Sequence, residues 1–161
     1  MMLTPEIKEI QEKRLLGRLL LTTPGAPEVE MHWKTFVSDI IQHLGIKPSE
    51  FYAVHEYDAE FSETGVYKTW ATILDDVKYS KLKDVSEVVI EKGLYAIFTH
   101  HGPIKTFHRT LNYIHNDWLP YSGYGIDQRR HFDYMGPKYL GPENPLSEEQ
   151  IYVPIKKITP Q

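Results

Sequence analysis

The sequence predicts an α+β fold built from two βαββ halves, and three observations carry that reading. Two strand-length apolar runs, one around Gly17 and one around Gly93, are each followed by a turn of proline and glycine. After each turn, apolar residues recur at helical spacing. After each helix come two runs rich in aromatic and β-branched residues, the composition of strands. The halves span approximately residues 1–79 and 85–161 of a single domain covering 1–161, with the charged stretch DDVKYSKLKD, Asp75 to Asp84, between them. Two such halves would join into one antiparallel sheet and leave a central cleft, the helices covering the opposite face.

The elements follow in order. KRLLGRLLLTT is an apolar strand with Gly17 inside it, and PGAP is a turn and helix start. Val29, Trp33, Phe36, Val37, Ile40, Ile41 and Leu44 then fall at helical spacing, and Gly45 is the stop. FYAVHEYDAEF and GVYKTWATILDD are the next strands. In the second half, VVIEKGLYAIFTHH is a strand containing Gly93, and Gly102-Pro103 opens a helix. Its stripe is Ile104, Phe107, Leu111, Ile114 and Trp118. Pro120 disfavours helical geometry at Leu119, so the helix ends there. HFDYM and EQIYVPIKKI close the fold. In the last strand Ile151, Val153 and Ile155 point to one face, a core face, and Gln150, Tyr152 and Pro154 to the other.

Composition narrows the function. The chain has 161 residues, 41% apolar and 25% charged, enough for a sizeable core. A net charge of −4 offers no basic face for a nucleic acid. Without cysteine there is no disulfide, thiolate site or cysteine nucleophile. No run reaches the roughly 20 apolar residues of a bilayer span. The charged N-terminus lacks a secretion signal, so a cytoplasmic location is the expectation. The unusual feature is 11 Tyr, 3 Trp and 6 Phe, many beside polar residues. Such side chains suit a partly wet pocket.

Four histidines stand between His100 and His115. His100 and His101 are consecutive in a strand and point to opposite faces. His108 and His115 are two helical turns apart, about 10 Å along the axis and too far to share an ion. They are read as hydrogen-bonding or solvated imidazoles, with no metal site and no cofactor expected. No GxSxG elbow or phosphate-binding glycine loop is present.

GLYAIFTHHGPIKTFHRTLNYIHNDWLPYSGY, HFDYM and PLSEEQIYVPIK together resemble the GyrI-like family, the effector-binding domain of bacterial transcription activators. The match is strong over Gly93 to Lys157 and looser over Leu3 to Tyr79. The resemblance implies two βαββ halves about a pseudo-two-fold, with a ligand cleft at their junction. With the domain filling the chain from near Met1 to Gln161, it implies a stand-alone form without a DNA-reading module, hence no direct DNA binding; no membrane partner is expected either, for want of an apolar span. Multidrug-sensing members take lipophilic or cationic molecules with tyrosines and a buried acid. That acid falls here on Asp133 and the last-strand tyrosine on Tyr152. The family's glutamate two residues earlier is Gln150, which supplies no charge and is no base. Glu148 and Glu149 lie just before it, and a shift of register would bring Glu149 into play.

The expected function is therefore binding of a lipophilic or cationic aromatic small molecule. Asp133 would supply charge, with Trp118, Trp70, Tyr152 and Tyr134 as ring partners and Gln150 as a hydrogen-bonding group. Tyr95, Tyr67 and Phe107 are further lining candidates. The alternatives are a hydrolase of electrophilic small molecules, which Gln150 disfavours, and a gyrase-type modulator with a protein partner. Some relatives of this fold also bind haem.

Overall fold

The computed structural model describes residues 2–57 and 65–158. Its strands are β1 (Glu6–Ile10), β2 (Lys13–Thr22), β3 (Phe51–Glu56), β4 (Tyr67–Leu74), β5 (Ser86–Ile90), β6 (Gly93–His101), β7 (Tyr124–Ile126), β8 (His131–Met135) and β9 (Glu148–Lys157). All described pairings are antiparallel, in the order β1-β6-β9-β8-β3-β4-β2-β5, with β7 beside β9. The helices are α1 (Glu28–Leu44) and α2 (Phe107–Asn112). No described helix is long and apolar enough to cross a membrane.

One expected strand proves to be a pair, and one strand was not expected. The run from Val88 through Gly93 breaks into β5 and β6, and the charged start of the chain forms β1 ahead of β2. In each case two polar residues, Gln11-Glu12 or Glu91-Lys92, make the corner. The strands joined by a corner do not pair with one another. Instead β1 lies on β6 and β5 on β2, at opposite edges of the sheet. Both edges nevertheless feed one core, because the sheet curls: Ile10, Leu15, Val88, Ile90, Tyr95 and Ile97 share a cluster with Tyr52, Val54 and Phe132. Local periodicity could not show this, since the pairings join residues far apart in sequence.

The other face of the sheet carries the helices. Phe36 and Ile40 of α1 are fully buried against Ala71 and Ile73 of β4. Burial at that level contributes about 1.5–3 kcal/mol per side chain. Gly45 closes α1 in the left-handed conformation, φ 65°, as the sequence predicts. Arg18 of β2 pairs with Asp39 of α1. The second helix is less regular than its stripe suggests. A short 3-10 turn (Ile104–Thr106) leads into α2, which widens into a π-helical segment (Tyr113–Trp118) before a last 3-10 turn (Leu119–Tyr121). Ile114 of that segment is buried on Phe98, Ile151, Val153 and Ile155, the face expected for β9.

Two details of the sheet have local causes. A β-carbon at Gly17 would stand 1.9 Å from the carbonyl oxygen of Ala71, so β2 and β4 approach closely only because Gly17 lacks one. Pro154 lies within β9, where its second partner changes from β8 (opposite residues 150–152) to β7 (opposite 155–157). There the missing donor leaves no ladder incomplete. The predicted strand FYAVHEYDAEF is described to Tyr57, and its last four residues lie outside the described residues.

Candidate functional site

The expected ligand residues divide between the two faces of the sheet. Tyr95, Tyr134, Tyr152 and Trp70 belong to the concave interior with the core rings, and Gln150 shares the face of Tyr152. Asp133, Tyr67, Trp118 and Phe107 stand on the face that carries the helices. The nine do not wall one surface. Alternation requires this: Asp133 sits between Phe132 and Tyr134 on β8 and must point away from both.

The concave interior is packed with rings. Phe132 stacks on Tyr152 with centroids 4.2 Å apart, and Tyr95 meets both rings edge-on. Tyr95 and Phe132 are fully buried. The Arg129 guanidinium lies 4.6 Å from the centre of the Tyr95 ring and donates to the carbonyls of Leu94 and Ile155. The Tyr134 hydroxyl donates to Glu50 at 2.7 Å. Burial pushes the Tyr52 and Tyr95 phenols up to about 12, so both stay protonated. The Trp70 indole N–H is buried without a hydrogen-bond partner among the described residues.

A different cluster gathers on the helix side, over the central β3–β8 pair. α1 covers β2 and β4, and the second helix covers β6 and β9, so this pair lies between them. Register puts Ala53 opposite Asp133 and His55 opposite His131. Asp133 is 5% exposed, and its Oδ2 accepts from His55 Nε2 at 2.8 Å. His55 Nδ1 lies 3.1 Å from the Thr69 hydroxyl. The tautomer with its proton on Nε2 satisfies both contacts, the hydroxyl donating to Nδ1.

Aromatic rings border the dyad. Tyr57 stacks on Tyr67 at 5.3 Å and meets His131 edge-on at 4.9 Å, while Tyr67 lies 5.7 Å from the His55 ring. Burial, with the Asp133 charge adding to it, raises the Tyr67 phenol to about 12 and raises Tyr57 too. Burial also depresses His131 to about 3, helped by His55 and His115, and depresses His115 to about 4. Both imidazoles are therefore neutral near pH 7.

Glu149 completes the cluster. It is on β9 opposite His100, 7% exposed, and its carboxyl is held well above the usual range, first by burial and then by the Asp133 charge. Among the described residues no hydrogen bond or ion pair reaches that carboxyl, and no lysine or arginine comes within ion-pair distance of either acid. Glu149 is on this face without any shift of register.

The remaining predicted residues have structural partners. The Trp118 indole packs edge-on against Phe98 at 5.1 Å and stacks on Tyr124 at 6.3 Å. Phe107 meets His100 edge-on at 5.2 Å. His100 is buried and bonded to the Thr110 hydroxyl at 2.7 Å and to the Pro103 carbonyl, while His101 and His108 are exposed. His115, grouped with these in the sequence reading, is half-buried near His131. His55, His131 and Tyr57 escaped notice although alternation puts His131 beside Asp133 and Tyr57 beside His55 on one face.

A comparison with curated protein sequences gave no match. Solved structures do share the fold. The C-terminal domain of EcmrR superposes with a TM-score of 0.71 at 14% identity, covering 98% of this chain and 100% of that one. An integron cassette protein from the mobile metagenome of Vibrio cholerae gives 0.69 at 16% identity, covering 95% and 96%. SAV2435, solved bound to tetraphenylphosphonium, gives 0.65 at 12% identity, covering 94% and 93%. The model of the GyrI-like small-molecule binding domain matches residues 3–156, nearly the full length, and the chain belongs to the GyrI-like family.

Proposed function

We propose that this chain binds a lipophilic aromatic cation on the strip between its two helices, with Asp133 as the fixed negative charge. One observation carries the reading: a carboxylate 5% exposed, paired with a neutral-capable imidazole rather than with a lysine or arginine. A buried charge balanced so weakly gains most from a cation delivered with its own apolar surface. The Tyr67 ring beside it, with Tyr57 stacked on it, adds aromatic surface for such a cation. The solved relative SAV2435, with its bound phosphonium, supports the ligand class.

The same reading takes the fold as a duplication. The order β1-β6-β9-β8 followed by β3-β4-β2-β5 supports it, each strand of one half having a counterpart in the other except β7. The Ala53–Asp133 pair then lies at the junction where a single ligand can touch both halves. Trp118 and Phe107 pack on the α2 side, over β6 and β9. The concave-face residues Tyr152, Tyr134, Tyr95, Trp70 and Gln150 support the sheet from behind.

Titration with tetraphenylphosphonium, followed by tryptophan fluorescence, tests this. Saturable quenching is expected in the wild type, weakened about tenfold or more in Asp133→Asn. Absence of saturation, or equal affinity in the variant, would remove the proposal.

A further inference from the structure

We infer that the strip selects cations that carry hydrogen-bond donors, protonated amines on an aromatic body, over fully substituted cations of similar size. This deepens the proposed function and rests on it.

The groups facing Asp133 come from every element around it. β3 and the residue after it supply His55 and Tyr57, β4 supplies Tyr67 and Thr69, β8 supplies His131, and β9 supplies Glu149. The π-helical segment brings His115 close enough to influence His131. Wide turns of this kind are often found at functional sites. Most of these groups offer acceptors. The Asp133 carboxylate and the Glu149 carboxyl do so outright.

Glu149 is the decisive residue. A glutamate 7% exposed, with no hydrogen bond or ion pair among the described residues, is costly to ionise where it stands. It sits near a second acid and is not explained by packing alone. A quaternary ammonium or phosphonium would neutralise charge there but leave the Glu149 oxygens unpaired. A protonated primary amine has three N–H donors, enough to reach Asp133 and Glu149 at once. Sites built around such donors discriminate strongly against analogues that lack them.

The test compares 2-naphthylmethylammonium with its N,N,N-trimethyl analogue at pH 7, by calorimetry and by tryptophan fluorescence. The primary amine should bind about tenfold tighter or more. Glu149→Gln keeps the shape and should shrink that preference several-fold, circular dichroism confirming the fold. The wild-type comparison needs no variant, so it stands even if the substitution unfolds the chain. Equal or tighter binding of the trimethyl compound overturns this inference while leaving the proposed function intact. No binding of either, with none of tetraphenylphosphonium, overturns both. A preference unchanged by Glu149→Gln overturns the role given to Glu149.

Discussion

Asp133 on β8 and His55 on β3 meet at 2.8 Å across the central strand pair, although 78 positions separate them in the chain. Each depends on the other to be tolerated at its depth. Removing the imidazole alone leaves a buried carboxylate without its hydrogen-bond partner, which costs about 1.5–3 kcal/mol. His55→Ala should therefore lower urea stability by that order, and Asp133→Asn in the same chain should restore part of it. A double variant no more stable than His55→Ala would show that the pair is not coupled.

His131 and His115 set an acid limit on stability. Folding holds His131 at about 3 and His115 at about 4, against 6.5 for the unfolded imidazole. Within that window the unfolded chain binds more protons, so stability is lost as pH falls through about 6.5. Going from pH 7 to pH 5 should cost about 2 kcal/mol per histidine. In His131→Asn the drop, read from urea curves at both pH values, should be smaller by about that amount. An unchanged drop would place the titration elsewhere.

Glu149 acts with the opposite sign. Its pKa is raised above 4.5 by burial, so the folded state holds the extra proton and stability falls as pH rises through the window above 4.5. The amide of Glu149→Gln removes the ionisation. That variant should be more stable than the wild type at pH 7, by on the order of 1–3 kcal/mol, and the gap should close below about pH 4.5. Thermal melts across pH, with a gap that failed to close, would contradict this account.

Tyr152 separates the two faces of the sheet. Its ring stacks on Phe132 in the concave interior, away from the Asp133 cluster. Tyr152→Leu should cost about 1–3 kcal/mol of stability and leave tetraphenylphosphonium affinity within about twofold. A large loss of affinity with little loss of stability would move the ligand to the concave side.

Gly17 tests the sheet itself. Any side chain there meets the Ala71 carbonyl, so Gly17→Val should destabilise by about 2 kcal/mol or more, measured by chemical denaturation. A variant as stable as the wild type would mean that the two strands separate freely.

Much of this was legible beforehand. The α1 stripe through Phe36 and Ile40, its stop at Gly45, and the core face Ile151, Val153, Ile155 all follow from local periodicity and turn chemistry. Alternation along HFDYM already separates Asp133 from Tyr134, so the division of candidate residues between faces was also within reach. Edge pairing was not. Nothing local distinguishes a corner between strands that part, at Gln11-Glu12 and Glu91-Lys92, from a hairpin or an uninterrupted strand.

The sequence by itself therefore determined the two helices, the main apolar faces and the family. The tertiary structure decided that β3 and β8 lie side by side, that the helices share their face with Asp133, and that Glu149 is buried next to it. These outcomes depend on contacts between distant strands and on how far water is excluded, and neither quantity is a property of any short stretch of chain.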